Sequence, residues 1–181
     1  MPEPLVYIIT GEKGAGKTSL LESVISCMRR QGFRIGGFFS KGYWKGNERS
    51  HFELWDIAQN EGILLCKREY EDGWPQWGPF YFNPEAMLLA QQIIDQCIAK
   101  RPELTVMDEI GGFEISNQGF HPLIEKSLQN DVYPQLWVVR KTFVTAVFTK
   151  YALKKISIFE LVNTSAPQIC REIADHLSQH P

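Results

Sequence analysis

Leu5–Thr10 (LVYIIT) is a short, apolar, β-branched run, the pattern of a strand buried on both faces. A glycine-rich stretch follows. Leu20, Leu21, Val24, Ile25 and Met28 then recur at helical spacing up to about Arg30, and Phe33–Ser40 returns to strand character. The pattern predicts a β-loop-α-β unit, whose crossover is almost always right-handed.

Farther along, His51–Ile57 alternates, with Phe52, Leu54 and Ile57 inward, and Asn60, Glu61 and Gly62 turn the chain into Ile63–Lys67. This predicts an antiparallel hairpin added to a parallel sheet. Glu71–Phe82 (EDGWPQWGPFYF) reads as a Gly/Pro/aromatic loop. Asn83, Pro84 and Glu85 read as N-cap, N1 proline and acidic first turn of a helix to about Lys100. Strands are expected at Leu104–Met107, Gln135–Arg140 and Lys155–Leu161, with a short helix around Val144, Val147, Phe148 and Tyr151. Ser165 opens a terminal helix with Ile169, Cys170, Ile173 and Leu177 on one face. Without repeats or a linker-like stretch, residues 1–181 read as one α/β domain.

Composition narrows the class. A 44% hydrophobic and 22% charged chain is neither disordered nor fibrous. The net charge of -2 offers no global field for nucleic acid, leaving room only for a local basic pocket. Cys27, Cys66, Cys97 and Cys170 are widely spaced, with no paired motif and no histidine at ligand spacing, so four free thiols of a cytoplasmic protein are expected. The start, Met-Pro-Glu-Pro, has no leader pattern, and no apolar run approaches the ~18 residues of a membrane span. Histidines 51, 121, 176 and 180 show no metal-ligand spacing either.

The strongest chemical signal lies at residues 11–18, GEKGAGKT, a full G-x-x-x-x-G-K-[ST] match between a predicted strand and a predicted helix. Glycines 11, 14 and 16 permit close backbone approach, and successive N–H groups from Gly11 through Glu12, Lys13, Gly14, Ala15, Gly16, Lys17, Thr18 and Ser19 form an anion cradle at a helix N-terminus. Lys17 reaches β- and γ-phosphates. Thr18 offers a hydroxyl to Mg²⁺. The expected partner is therefore a nucleoside triphosphate, ATP or GTP, with no nucleic acid and no membrane; the sequence names no protein partner.

Leu104–Met107 runs into Asp108 and Glu109. In a parallel sheet that end lies on the same edge as the glycine loop. Asp108 is placed to bind magnesium, directly or through water, and Glu109 to accept a proton from the attacking water.

The segment DEIGGFEIS (108–116), with Phe120 after it, resembles the DEIG-x-ME-x-S-x-x-F signature of a small P-loop family of nucleoside-triphosphatases. These were first described from thermophiles and are called cancer-related nucleoside-triphosphatases in animals. The resemblance runs nearly end to end. Residues 11–40 resemble the family's loop, first helix and second strand, Arg49 its R-x-G-F segment, GPFYFNPEA (78–86) its G-[KR]-Y-G-V stretch, and Val162–Asn163 its N-R-D segment. Phe113, Pro79 and Thr164 depart from the usual methionine, basic residue and arginine. The resemblance implies a RecA-like three-layer α/β sandwich with a mostly parallel sheet. It also implies slow, Mg²⁺-dependent hydrolysis of ATP, GTP and other nucleoside triphosphates.

A cation for the γ-phosphoryl group is not specified by these motifs. Arg140, just after a strand, is one candidate catalytic arginine; Arg49, which with Arg68 flanks the hairpin, is a second candidate γ-phosphate contact. The aromatic loop 74–82 either stacks a base, covers the site or packs over an edge of the domain. Asn163 is a base-edge contact or a turn residue, and Glu114 is expected to anchor the loop after the acids. A nucleotide-binding adaptor similar to the molybdopterin-guanine dinucleotide biosynthesis adaptors and a nucleotide or small-molecule kinase are the competing functions.

Overall fold

The sheet is assembled around β1 (Leu5–Gly11), whose alternate side chains enter two different cores. The computed structural model describes residues 5–179; residues 1–4, where no leader pattern was read, and His180 lie outside it. The remaining described strands are β2 (Ile35–Lys45), β3 (Glu48–Asp56), β4 (Glu61–Lys67), β5 (Gln76–Trp77), β6 (Phe80–Phe82), β7 (Leu104–Ile110), β8 (Gln135–Arg140) and β9 (Lys155–Glu160). They form one sheet in the order β5-β6-β4-β3-β2-β7-β8-β1-β9. From β2 to β9 the pairings are parallel, whereas β3 to β6 add an antiparallel wing.

Helices cover both faces, so the central strands carry almost no polar position. Val6, Ile8, Met107, Trp137 and Val139 pack toward α2 (Pro84–Lys100) and α4 (His121–Gln129). Tyr7, Ile9, Val106, Leu136 and Val138 pack toward α1 (Lys17–Arg30) and α6 (Ala166–Gln179). Two short helices, α3 (Gly112–Ile115) and α5 (Val144–Lys150), complete the set. This is the three-layer α/β arrangement with a mostly parallel centre that the sequence predicted.

Local signals behave as expected where they are strong. Asn83 caps α2 by accepting from the Glu85 amide at 3.0 Å, with proline in the first turn. Elsewhere the structure departs from the sequence reading. β2 continues past Ser40 to Lys45 and folds back on β3 through Gly46, at φ 63°, so a second hairpin precedes the expected one. The stretch read as an aromatic loop contains β5 and β6. Its rings pack on one another and on Phe113 at the sheet margin, with Trp77 and Phe82 centroids 4.6 Å apart. α4 was not anticipated.

The expectation of four free thiols is corrected. Cys27 of α1 and Cys170 of α6 are joined by a disulfide, because packing of these helices brings their Cα atoms to 6.2 Å. Cys66 and Cys97 remain free and buried; burial raises their thiols to about 12 and about 11, which keeps them protonated and inert. Among the described residues no helix is long and apolar enough to cross a membrane.

The disulfide spans 143 residues of sequence, and long closures restrict the unfolded chain most. Cys27→Ser should therefore cost about 2–4 kcal/mol in urea unfolding. Reductant should lower the wild-type midpoint and leave that of the variant unmoved. A wild-type midpoint indifferent to reductant would show that the link does not form.

Candidate functional site

Three strands end on one edge. In the parallel ladder Gly11 lies opposite Arg140, and Val139 of the same strand lies opposite Ile110 of β7. Lys13, Gly14, Gly16, Asp108, Glu109 and Arg140 are thereby gathered around one cavity.

The loop turns through Gly14 and Gly16 at φ 75° and 101°, a left-handed backbone that glycine adopts without a Cβ clash. Gly16 is also the N-cap of α1, which has no side-chain cap and no acidic residue in its first turn. The first amides of α1 are thus left for an anion, which the helix dipole favours. Lys17 is 7% exposed and donates to the Glu12 carbonyl at 2.7 Å, across the loop. Burial lowers its pKa, while Glu109 and then Asp108 oppose that shift.

Asp108 is 2% exposed, and its carboxylate accepts from the Thr18 hydroxyl at 3.4 Å; the Ser40 hydroxyl donates to its main-chain carbonyl at 3.0 Å. Burial, and next the charge of Glu109, push the Asp108 carboxyl well above the usual range. A divalent cation beside it would offset both effects. The donors are a hydroxyl and a carboxylate, with no cluster of three His, Cys, Asp or Glu among the described residues. That set suits a hard ion that takes most of its ligands from water and phosphate, as Mg²⁺ does.

Glu109 is reached through a bulge. Met107 opposes Trp137 and Ile110 opposes Val139, so three steps along β7 match two along β8. Without the extra residue, Ile110 would leave the core in which Met107 sits. The two acids, adjacent in sequence, line the same cavity. The Glu109 carboxylate stands 3.6 Å from the Arg140 guanidinium, whose Nε is buried without a hydrogen-bond partner.

The cavity measures about 530 Å³, within the range of small-molecule sites. A second cleft, beside Gly36, Cys97 and Pro102, measures about 150 Å³, below that range. The larger one is lined by Lys13, Gly14 and Gly16 of the glycine loop with Lys17, Thr18, Ser19, both acids and Arg140; Gly11, Glu12 and Ala15 lie outside this lining. Sequence reasoning had Arg49 as a candidate γ-phosphate contact but missed the rest of the cavity's far wall, formed by Ser40, Lys41, Gly42, Trp44 and Phe52. The available signal was Gly46–Asn47, a two-residue hairpin turn. Asn163 lies on an exposed turn beside the start of the loop, outside this lining, and the 74–82 aromatics do not reach it.

Comparison with known proteins supplies the lineage. A sequence model described as NTPase matches residues 6–174. The chain belongs to the NTPase family. Membership makes it an NTPase enzyme. The chain is similar to the nucleoside-triphosphatase THEP1 of Saccharolobus solfataricus, 30% identical over 138 residues, covering 76% of this chain and 77% of that one. The THEP1 of Sulfolobus acidocaldarius is 28% identical over 142 residues, 78% and 80% of the two chains. Solved structures share the fold. THEP1 from Aquifex aeolicus superposes with a TM-score of 0.65 at 20% identity over 96% of this chain and 98% of its own. A human cancer-related nucleoside triphosphatase superposes at 0.70 and 17% identity over 99% of both chains.

Glu114 anchors this family member's post-acid loop. Its carboxylate accepts from the Gly111 and Phe120 amides at 2.9 and 3.1 Å, closing the turn that follows Glu109. Burial raises its pKa from 4.5 to about 6, against the lowering effect of those amides. A raised carboxyl stabilises the fold below pH 4.5 and loses that contribution as pH rises through 6. Wild type should therefore lose about 1.5 kcal/mol relative to Glu114→Gln between pH 4.5 and 6.5. Urea unfolding of both proteins at pH 4.5 and 6.5 tests this, and an unchanged difference would remove the carboxyl from the account.

Proposed function

We propose that this enzyme hydrolyses nucleoside triphosphates, ATP and GTP among them, to nucleoside diphosphate and phosphate with Mg²⁺. One observation carries the reading: Asp108 and Glu109 face the same cavity as the uncapped N-terminus of α1 and Lys17. The amides of residues 11–19 hold the phosphates, and Lys17 exchanges its Glu12 acceptor for phosphate oxygen. Thr18 and Asp108 hold the metal, Asp108 directly or through water. Bound there with the triphosphate, magnesium neutralises charge on the phosphate oxygens.

Glu109 receives a proton from water as the water oxygen bonds to the γ-phosphorus. The bond from that phosphorus to the bridging oxygen breaks, and its electron pair leaves on the diphosphate. The proton then passes to solvent, to which Glu109, with a 38% exposed side chain, is open. Arg140 orients Glu109 and adds positive charge at the γ-phosphate end. Weak base discrimination follows from a lining rich in phosphate-binding groups, with Asn163 the base-edge contact outside it.

An adaptor that only holds nucleotide has no use for Glu109. A kinase needs arginines over its acceptor, and the one arginine between Asn83 and Asp108, Arg101, is spent at the C-cap of α2, donating to the Asp131 carbonyl at 2.7 Å.

Phosphate release from ATP, GTP, CTP and UTP, with and without Mg²⁺, tests the assignment. Glu109→Gln should bind nucleotide and turn over roughly 10²–10⁴ times more slowly, whereas Lys17→Ala should lose triphosphate binding itself. Undiminished turnover in Glu109→Gln would remove the base from its role. Equal release without Mg²⁺ would remove the metal.

A further inference from the structure

The far wall of the cavity contains an arginine that the strand ladder has re-aimed. β2 and β3 pair Gly42 with Phe52 and Tyr43 with His51, but Trp44 with Arg49. Ser50 is the extra residue of a bulge. Directly opposed residues share a face, so Arg49 and Phe52, an odd three positions apart, both join the Gly42–Trp44 face that lines the site. In an unbulged ladder Ser50 would oppose Trp44, and Arg49 would turn to the other side. Bulges re-aim side chains in this way beside active sites.

The guanidinium is seated before any ligand arrives. It lies 4.1 Å from the Trp44 ring centroid and 5.9 Å from that of Phe52, and it donates to the Gly42 carbonyl. A Cβ at position 42 would stand 3.0 Å from Arg49 Nη1 and 2.7 Å from the Phe52 ring, so glycine makes room for the seat. The carbonyl of Gly42 is its one acceptor among the described residues, leaving N–H donors of the fork for a ligand. Arg140, the other arginine of the cavity, is already paired with Glu109.

We propose that Arg49 is the catalytic arginine in cis: its guanidinium, carried on the β2–β3 hairpin, contacts the γ-phosphoryl oxygens as the bond to the diphosphate breaks, while Arg140 serves Glu109. The inference rests on the hydrolase reading above. The covalent step is unchanged; Arg49 adds only hydrogen bonds to oxygens whose charge is being redistributed.

ATP turnover, ATP and ADP affinities, and trapping of ADP with aluminium fluoride should be measured for wild type, Arg49→Ala, Arg49→Lys and Trp44→Ala. Arg49→Ala should lower kcat roughly 10²–10³-fold, keep ADP affinity within about twofold and fail to trap the fluoride complex. Arg49→Lys, which keeps charge but not the planar fork, should recover only part of the rate. Trp44→Ala, which retains the arginine but removes its seat, should lower kcat with the same ADP affinity. An Arg49→Ala enzyme within threefold of wild type, or one that loses ADP and ATP affinity alike, overturns the proposal. Lys17→Ala and Glu109→Gln run alongside: if they abolish turnover while Arg49→Ala does not, Arg49 alone is wrong. If wild type hydrolyses no triphosphate, both the hydrolase reading and this inference fall.

Discussion

The cavity depends on the parallel hydrogen-bonded ladder of β1, β8 and β7. By setting Gly11 against Arg140 and Val139 against Ile110, it fixes where the glycine loop ends relative to the two acids, with one strand's width between them. Only that spacing lets Thr18, at the start of α1, meet the carboxylate of Asp108. The apolar faces on both sides of the ladder hold this spacing rigid, since a slip of one residue would carry Val6 and Ile8 out of one core and into the other.

Within that frame the charges are arranged in opposition. Lys17, Arg140 and Arg49 stand around Asp108 and Glu109, and each acid lies close enough to a base to feel it. Burial works against the charges of Lys17, Arg49 and, most strongly, Asp108. A triphosphate with a divalent cation brings both signs at once and relieves both sets. On the proposed reading, the site suits a ligand carrying its own counter-ion better than a bare anion or a bare metal.

Much of this was legible in the chain. The glycine loop and the acids at a strand end are local patterns, readable because their chemistry demands fixed residue types at fixed offsets. The start of α2 was also visible, since Asn83 and Pro84 punctuate the sequence. What escaped was register. Neither bulge has a signature in hydrophobic alternation, so nothing local showed that Arg49 shares a face with Phe52, or by what register Glu109, expected beside Asp108, reaches the cavity. α4 also escaped; Gly119 and Pro122 are helix-unfavourable residue types, although proline is tolerated in a first helical turn. The pairing of Cys27 with Cys170 depends on two helices meeting across 143 residues, beyond the reach of any spacing rule.

That last feature has a mechanical meaning for the phosphate grip. α1 offers its amino end to the ligand, and near its other end, nearly three turns later, it is riveted to α6 through Cys27. A helix moored in this way resists sliding along its axis or rolling when a highly charged guest arrives. Accommodation is then left to softer parts, the loop before the helix and the overhanging β2–β3 arm, while the helix itself acts as the fixed jaw of a vise.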